Sequence, residues 1–153
     1  MEVTIRPLKE EDAYTSFKWR NDQEVFKYTG NTYDHEITIE NELEWIRKVI
    51  ANDNNYRCAI LADGVYVGNI YLDDINTSQA HYHIFIGNKD YWGKGIAKKA
   101  SMLILQKAFT KPMMQSIKLR VRKENTSAYY LYKTLGFVEQ SIDSNWVTMI
   151  LNK

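Results

Sequence analysis

Glycines and lysines lie close together in the segment Tyr91-Trp92-Gly93-Lys94-Gly95-Ile96-Ala97-Lys98-Lys99. An apolar, strand-like run (residues 84–86) precedes the segment, and an amphipathic helical pattern follows it. Glycine lets the backbone approach a ligand closely, while the first turn of a helix presents free N–H groups and the positive end of its dipole. The segment therefore predicts a backbone cradle for a phosphate group, with an ordinary strand-to-helix turn as the structural alternative. It matches neither the Walker-type nor the dinucleotide-binding glycine pattern.

A second pattern of interest covers residues 125–137, which read Asn-Thr-Ser-Ala-Tyr-Tyr-Leu-Tyr-Lys-Thr-Leu-Gly-Phe. Asn125 or Thr126 can cap the start of a short helix, and Gly136 can end it. The helix would carry an apolar stripe of Ala128, Leu131, Tyr132 and Leu135. A core aromatic is the plain structural role for Tyr132. A phenol with a reference pKa of ~10 is also protonated at neutral pH and can act as a general acid.

Together the two patterns resemble signatures of the GNAT superfamily of N-acetyltransferases. The order Asn-x-x-Ala-x-x-x-Tyr-x-x-Leu-Gly-Phe resembles one of them, and Trp92-x-x-Gly95-x-Ala97 resembles the loop that holds the pyrophosphate of acetyl-CoA. Trp92 stands where the family usually has Gln or Arg. The segment that begins Lys18-Trp19-Arg20-Asn21-Asp22 resembles the opening of the ribosomal-protein-alanine and small-amine acetyltransferase branch. The resemblance extends over essentially the whole chain.

This resemblance implies an enzyme that moves an acetyl group from acetyl-CoA to a primary amine by direct attack. It implies that Tyr132 is the general acid and that a backbone N–H of Ile86 or Gly87 stabilises the oxyanion. Lys98 and Lys99 are candidates for supplementary charge. The residues that it implies for the acetyl-CoA site are Phe85, Ile86, Trp92, Gly93, Lys94, Gly95, Ile96, Ala97 and Asn125.

Several side chains are candidates for the general base. His81 and His83 are two apart on a predicted strand and so share a face, and an imidazole with a reference pKa of ~6.5 is an effective base at pH 7. Hydrogen-bonded structure is the plain role of both histidines. The alternatives are Glu40, Glu42, Asp73 and Asp74. Some members of the family need no dedicated base.

The bulk properties predict a single globular domain over residues 1–153, since 44% of residues are hydrophobic and 25% are charged. The net charge of +1 argues against a nucleic-acid partner. No apolar run reaches the ~18–20 residues that span a bilayer, and the N-terminus lacks a signal-peptide pattern, so we expect a cytoplasmic protein with no membrane partner. Cys58 is alone and predicts no disulfide. We expect no metal, and either a monomer or a homodimer.

The periodicities predict a mixed α/β (α+β) chain in the order β-α-α-β-β-β-α-β-α-β-β. This order matches the GNAT fold, which has a central mixed, largely antiparallel sheet. Strands are predicted at 2–6, 56–61, 65–72, 79–87, 116–121, 137–141 and 146–151, and helices at 10–20, 38–51, 94–109 and 126–135. Residues 21–35 are predicted to be a loop or a broken helix. The buried stripe of the third helix is predicted to contain Ile96, Ala100, Leu103, Ile104 and Ala108.

Residues 19–35 are expected to form a wall of the acceptor groove. The segment offers rings and amides (Trp19, Phe26, Tyr28, Tyr33, Asn21, Gln23 and Asn31) against the acids Asp22, Glu24 and Asp34. This mixture favours an amino-sugar nucleotide or a peptide N-terminal amine as acceptor over a polyamine such as spermidine. Polyamine acetylation remains an alternative. So does a non-catalytic acyl-CoA-binding module, for which we would expect a damaged loop or no tyrosine, and so does an unrelated phosphate-binding domain.

Overall fold

The elements follow one another in the predicted order, in a computed structural model that describes residues 1–27 and 35–153. The strands are β1 (Val3–Pro7), β2 (Tyr56–Ala62), β3 (Val65–Asp73), β4 (Gln79–Ile86), β5 (Ser116–Arg122), β6 (Val138–Asp143) and β7 (Trp146–Asn152). The helices are α1 (Ala13–Arg20), α2 (Ile39–Ile50), α3 (Ile96–Phe109) and α4 (Thr126–Thr134). The predicted fold class is confirmed. No helix within the described ranges combines the length and the apolar character needed to cross a membrane.

Side-chain caps set the starts of two helices. The Thr38 hydroxyl accepts the Asn41 N–H at 3.1 Å before α2, and the Asn125 side chain accepts the Ala128 N–H at 3.4 Å before α4. The predicted helix over 10–20 is wrong in its first turn, where Glu10–Asp12 form a 3-10 turn and α1 begins at Ala13. The cause is Asp12, whose buried carboxylate binds Arg6 at 2.8 Å and the Lys9 N–H at 2.8 Å.

The strands form one sheet in the order β1-β2-β3-β4-β5-β7-β6. β4 and β5 are parallel and every other neighbouring pair is antiparallel, as expected for a mixed, largely antiparallel sheet. The register of β4 with β5 covers only Gln79, Ala80 and His81 among the described residues. The two strands therefore diverge from Tyr82 onwards, and a cleft opens between them.

Two layers of helices cover the sheet. On one face, α3 and α4 pack on a core that includes Ile70, Tyr82, Ile104, Phe137 and Met149. On the other face, α1 and α2 pack through smaller clusters that include Ala13, Ile46, Ala59, Trp19 and Phe26. Each layer thus faces one opening of the cleft.

The predicted buried stripe of α3 is confirmed at Ile96, Ala100, Ile104 and Ala108, but not at Leu103, which is 38% exposed. Leu105 and Ser101 are buried instead. Ser101 is tolerated there because its hydroxyl donates to the Ala97 carbonyl at 2.6 Å and also bonds with the hydroxyl of Tyr82.

Candidate active site

The cleft between β4 and β5 is lined by backbone groups of β4. The Gly87 N–H donates to the Val67 carbonyl at 2.8 Å, which sets the alternation of the antiparallel ladder between β3 and β4. By this alternation the backbone groups of His83 and Phe85 bond to β3, while those of Tyr82, Ile84 and Ile86 point towards β5. Because β5 has diverged there, an extended ligand can add to β4 as an extra strand.

This alternation changes which backbone groups are available. The Gly87 N–H is already bonded, so Gly87 is not a free oxyanion donor as the sequence suggested. The backbone of Phe85 faces β3, and its ring packs beside Trp19 and Phe26 on the α1–α2 side. The Ile86 carbonyl accepts the indole N–H of Trp92 at 2.8 Å. The Ile86 N–H and the backbone N–H and carbonyl of Ile84 are therefore available to bind a substrate. Ile84 was missed from the sequence, although its position in the hairpin register could have indicated it.

The glycine loop has the backbone geometry expected of a phosphate cradle. Gly93 and Gly95 have φ of 74° and 76°, and a Cβ on either would meet no atom within 4 Å. Conformation, rather than crowding, therefore requires glycine here, and the space beside the loop is open. Gly95 is the N-cap of α3 and supplies no side-chain cap, so the first N–H groups of the helix keep their donor capacity.

Trp92 and the nearby lysines complete this loop. The Trp92 indole ties the loop to the end of β4, while the residue stays 40% exposed. Lys94 and Lys98 are exposed and make no ion pair with a described carboxylate. Lys99 instead donates to the Met1 carbonyl at 3.3 Å. Two cations thus remain beside the open loop.

Tyr132 approaches the cleft from the α3–α4 side. Its ring meets the ring of Tyr82 edge-on with a centroid separation of 5.8 Å, and Phe137 lies 6.1 Å away. Within the described chain its hydroxyl makes no hydrogen bond, and the residue is 8% exposed. Burial raises the pKa of Tyr132 to about 12. Tyr132 therefore brings a protonated, unengaged phenol to the residue at which β4 and β5 diverge.

His83 occupies the opposite face of β4, next in sequence to Tyr82. Its Nε2 lies 3.1 Å from Asp73 Oδ1, and its ring stacks on Tyr71 at 4.6 Å with an interplanar angle of 12°. The Arg57 guanidinium covers the Tyr71 ring at 3.9 Å. Burial alone would raise the pKa of the Asp73 carboxyl, but the hydrogen bond with His83 and nearby positive charge lower it overall. His83 is thus held by a carboxylate and a ring, and remains 45% exposed in its side chain.

Comparison with known proteins identifies the family of the chain. The family model described as Acetyltransferase (GNAT) domain matches residues 2–138. The chain belongs to this family. It is therefore an acetyl-CoA-dependent N-acetyltransferase, as the resemblance implied, and acetyl-CoA is its acetyl donor. Its placement in the ribosomal-protein-alanine branch stays a prediction.

This acetyltransferase is 30% identical over 138 residues to the spermidine N(1)-acetyltransferase of Escherichia coli strain K12, with 88% of this chain and 72% of that protein covered. In fold it is similar to a spermidine N-acetyltransferase from Vibrio cholerae in complex with CoA and spermine, with a TM-score of 0.86, 24% identity and coverage of 98% of this chain and 95% of that one. It is also similar to an aminoglycoside acetyltransferase in complex with coenzyme A, with a TM-score of 0.83, 16% identity and coverage of 99% and 95%.

The other candidates for the base of the acetyltransferase are placed less favourably. His81 Nδ1 lies 3.8 Å from Asp74 Oδ2, at the closed end of the cleft where β4 still pairs with β5. Glu42 is 2% exposed and its carboxylate accepts the Ser16 hydroxyl at 2.7 Å and Arg20 Nε at 3.2 Å. Asp73, Asp74 and His81 place possible metal ligands within 4.8 Å of one another, but Asp74 and His81 are exposed, and exposed acidic groups commonly lie together without a metal ion.

In the described part of the expected groove wall, residues 19–27, several side chains are engaged by other parts of the protein. The Trp19 ring packs on Gly87, where a Cβ would lie 2.0 Å from the ring. Asn21 binds the Ile37 N–H and carbonyl at 2.7 and 2.8 Å and so joins the two ends of the intervening segment. Asp22 pairs with Lys89 at 2.9 Å. These side chains and Phe26 are therefore not the free groove lining that we expected. Tyr28, Asn31, Tyr33 and Asp34 lie outside the described residues.

A small pocket on the α1–α2 side lies beside this structure and is lined by Arg20, Ile37, Asn41, Glu42 and Trp45. The Arg20 guanidinium lies 4.3 Å from the Trp45 ring centre and pairs with Glu42. The pocket thus presents a stacked cation and a carboxylate that is already paired.

Proposed function

We propose that this acetyltransferase acetylates the primary amine of a small polar acceptor, with an amino-sugar nucleotide or a peptide N-terminus as the favoured class. One observation carries the proposed chemistry: Tyr132 and the His83–Asp73 pair approach β4 from opposite faces at the point where β5 diverges. A thioester that enters along the cleft would lie between a proton donor and a proton acceptor.

In this proposal residues 93–97 hold the pyrophosphate of acetyl-CoA, and the pantetheine arm adds to β4 beside Ile84 and Ile86. Asn125, which caps α4, contributes by positioning Tyr132. The N–H groups of Ile84 and Ile86 are the candidates for stabilising the oxyanion, because a preorganised donor strengthens as charge develops.

The proton transfers follow from the hydrogen bonds of each group. The neutral amine attacks the thioester carbonyl, and a new C–N bond forms. With Nε2 donating to Asp73, His83 Nδ1 keeps a lone pair and accepts the proton from the attacking nitrogen. The C–S bond then breaks, and the departing thiolate takes the proton of the Tyr132 hydroxyl. Exchange with solvent returns the imidazolium and the tyrosinate to their starting forms.

The amine would approach His83 from the α1–α2 side of the sheet, which we call the acceptor side, and the ion pairs on this side support the favoured acceptor class. Asp73 is paired with His83, Asp22 with Lys89 and Glu42 with Arg20. A polyamine carries several ammonium groups and needs free carboxylates to replace their hydration. Carboxylates that are already paired offer less to such a substrate than to a polar ring or a short peptide.

Polyamine acetylation is the second candidate, and the specific observation in its favour is the similarity to spermidine N(1)-acetyltransferases at 30% identity. In this second candidate function, the exposed carboxylate of Asp74, which directly follows β3, would bind an ammonium group of the polyamine.

The test is release of free CoA with three acceptors at one concentration: spermidine, a nucleotide-linked amino sugar and a short peptide with a free α-amine. The same peptide with a blocked N-terminus is the matched control, and Tyr132→Phe measures background hydrolysis. We expect turnover of the amino sugar or the free peptide and little with spermidine. Spermidine as the best substrate would establish the second candidate and overturn the favoured class.

A further inference from the structure

Cations form a row on β5, on the side of the sheet that carries the histidines. His81 and Lys118 are partners in the parallel register, so their side chains point to the same face. Because side chains alternate along a strand, Arg120 and Arg122 lie on that face as well. The intervening residues, Leu119 and Val121, are buried in the core on the α3–α4 side, as this alternation requires.

This row has no counter-ions in the described part of the chain, where none of its members makes an ion pair with a carboxylate. The guanidinium groups of Arg120 and Arg122 stack on Trp146, at 4.7 and 5.1 Å from its ring centre. The Nε of Arg122 is buried without a hydrogen-bond partner. Neighbouring cations repel each other, so an anion bound beside them would be stabilised both by attraction and by relief of that repulsion.

The row faces the acceptor side of the cleft. β4 and β5 diverge beyond the His81–Lys118 pair. His83 on β4 and Arg120 on β5 therefore lie on opposite sides of the cleft. The glycine loop leads into α3, and α3 covers the opposite face of the sheet. The cations therefore lie on the face of the sheet opposite α3, the helix whose N-terminus follows the glycine loop.

We propose that Arg120 and Arg122, assisted by Lys118, form a subsite for a phosphate group carried by the acceptor. The proposal rests on the proposed function, since it names part of the amine substrate. Guanidinium groups suit this task because each presents planar, paired N–H donors to phosphate oxygens. A phosphate-bearing acceptor, such as a sugar amine linked to a nucleotide, would be retained by this row, whereas a polycation would be repelled.

Binding of inorganic pyrophosphate in the presence of saturating CoA tests the subsite without requiring turnover, because CoA then fills its own phosphate site. The wild type is compared with the double variant Arg120→Gln/Arg122→Gln by calorimetry. Lys48→Ala/Lys111→Ala is the control, since it removes the same charge at exposed positions outside the cleft. We expect a dissociation constant that rises about tenfold or more in the arginine variant and little in the control. No binding to the wild type, or equal loss in the control, would overturn the subsite.

Inhibition kinetics then show whether the cations on β5 bind a phosphate of the acceptor or a phosphate of acetyl-CoA. At saturating acetyl-CoA, which keeps the phosphate site of the cofactor filled, we expect pyrophosphate to compete with any phosphate-bearing amine that the wild type acetylates. A raised KM for acetyl-CoA in the arginine variant would overturn the proposal and assign the row to the cofactor. If the wild type acetylates no amine but still binds pyrophosphate through the arginines, the proposed function fails while the anion site stands. A melting curve for each variant confirms folding.

Discussion

Tyr132 has the features of a proton donor, namely a ring fixed by packing and a hydroxyl that makes no hydrogen bond within the described chain. Its ring is fixed by Tyr82 and Phe137. Burial raises its pKa to about 12, above the ordinary value of ~10. A raised pKa in an acid favours the protonated form, so the donor persists as the pH rises to about 10.

Replacement of Tyr132 by Phe should keep the packing and remove the proton. We expect kcat to fall by roughly 10²-fold, the usual scale for general acid–base catalysis, with little change in the stabilisation by acetyl-CoA. In the wild type, kcat should not decline through ionisation of Tyr132 between pH 8 and 10. The measurement is kcat against pH at saturating acetyl-CoA. A wild-type decline with a midpoint near 10 that is absent from the Phe variant would contradict the assigned pKa.

Asp73 should matter only through His83, because its carboxylate binds the imidazole rather than the acceptor. We expect Asp73→Asn to lower kcat by about tenfold and His83→Gln by about 10²-fold, with KM for acetyl-CoA unchanged. The double variant should be no slower than His83→Gln alone, since residues that act as a unit are not additive.

These three variants form a double-mutant cycle. Its control is Asp74→Asn, which removes the neighbouring carboxylate without changing a contact of His83. Independent, multiplicative effects of Asp73 and His83 would show that Asp73 does not act through the imidazole. Full activity of His83→Gln would remove the base from the mechanism while leaving the family assignment unaffected.

At the scale of elements, the loop before α3 depends on a backbone conformation that other residues rarely adopt. Gly95 has a φ of 76° and free space where a Cβ would stand. We expect Gly95→Ala to cost about 1–2 kcal/mol in stability through strain alone. Gly95→Glu adds a negative charge where a pyrophosphate would bind and should abolish the rise in Tm that acetyl-CoA produces. An intact rise in Gly95→Glu, with the Ala variant as reference, would move the phosphate site elsewhere.

Most elements could be predicted from the sequence because their signals are local. The Asp63-Gly64 turn, the Asn125 cap and the period of α2 depend on neighbouring residues alone. The divergence of β4 from β5 is not local. It depends on which strands pair and over what length, and it decides that Ile84 rather than Phe85 presents its backbone to the cleft.

The same limit explains the errors within helices and at the groove. A period identifies an apolar stripe on α3 but does not show how far the stripe extends around the helix, so Leu103 was included and Leu105 was omitted. Residue type also does not show which way a ring faces. Trp19 and Phe26 looked like groove lining and prove to be buried beside Phe85.

For the whole molecule, Asn21 closes the segment that leads from α1 to α2. Its amide bonds to both backbone groups of Ile37 and to the Phe17 carbonyl. We expect Asn21→Ala to lower the free energy of unfolding by about 1–3 kcal/mol, because it leaves backbone groups unpaired. Urea denaturation measures this change, and Gln23→Ala, an exposed neighbour, should alter stability by less than about 0.5 kcal/mol. Equal effects of the two variants would contradict the structural role of Asn21.

The alternation along β4 has a consequence for hydrogen–deuterium exchange. The amide of Phe85 faces β3 and should exchange slowly whether or not substrate is present. The amides of Ile84 and Ile86 face the open cleft, so they should exchange quickly in the free protein and become protected when CoA adds beside them. Residue-resolved NMR would then show slow and fast amides in alternation along one strand, with CoA slowing only the fast set. Uniform protection of all three amides in the free protein would mean that the cleft is closed in solution.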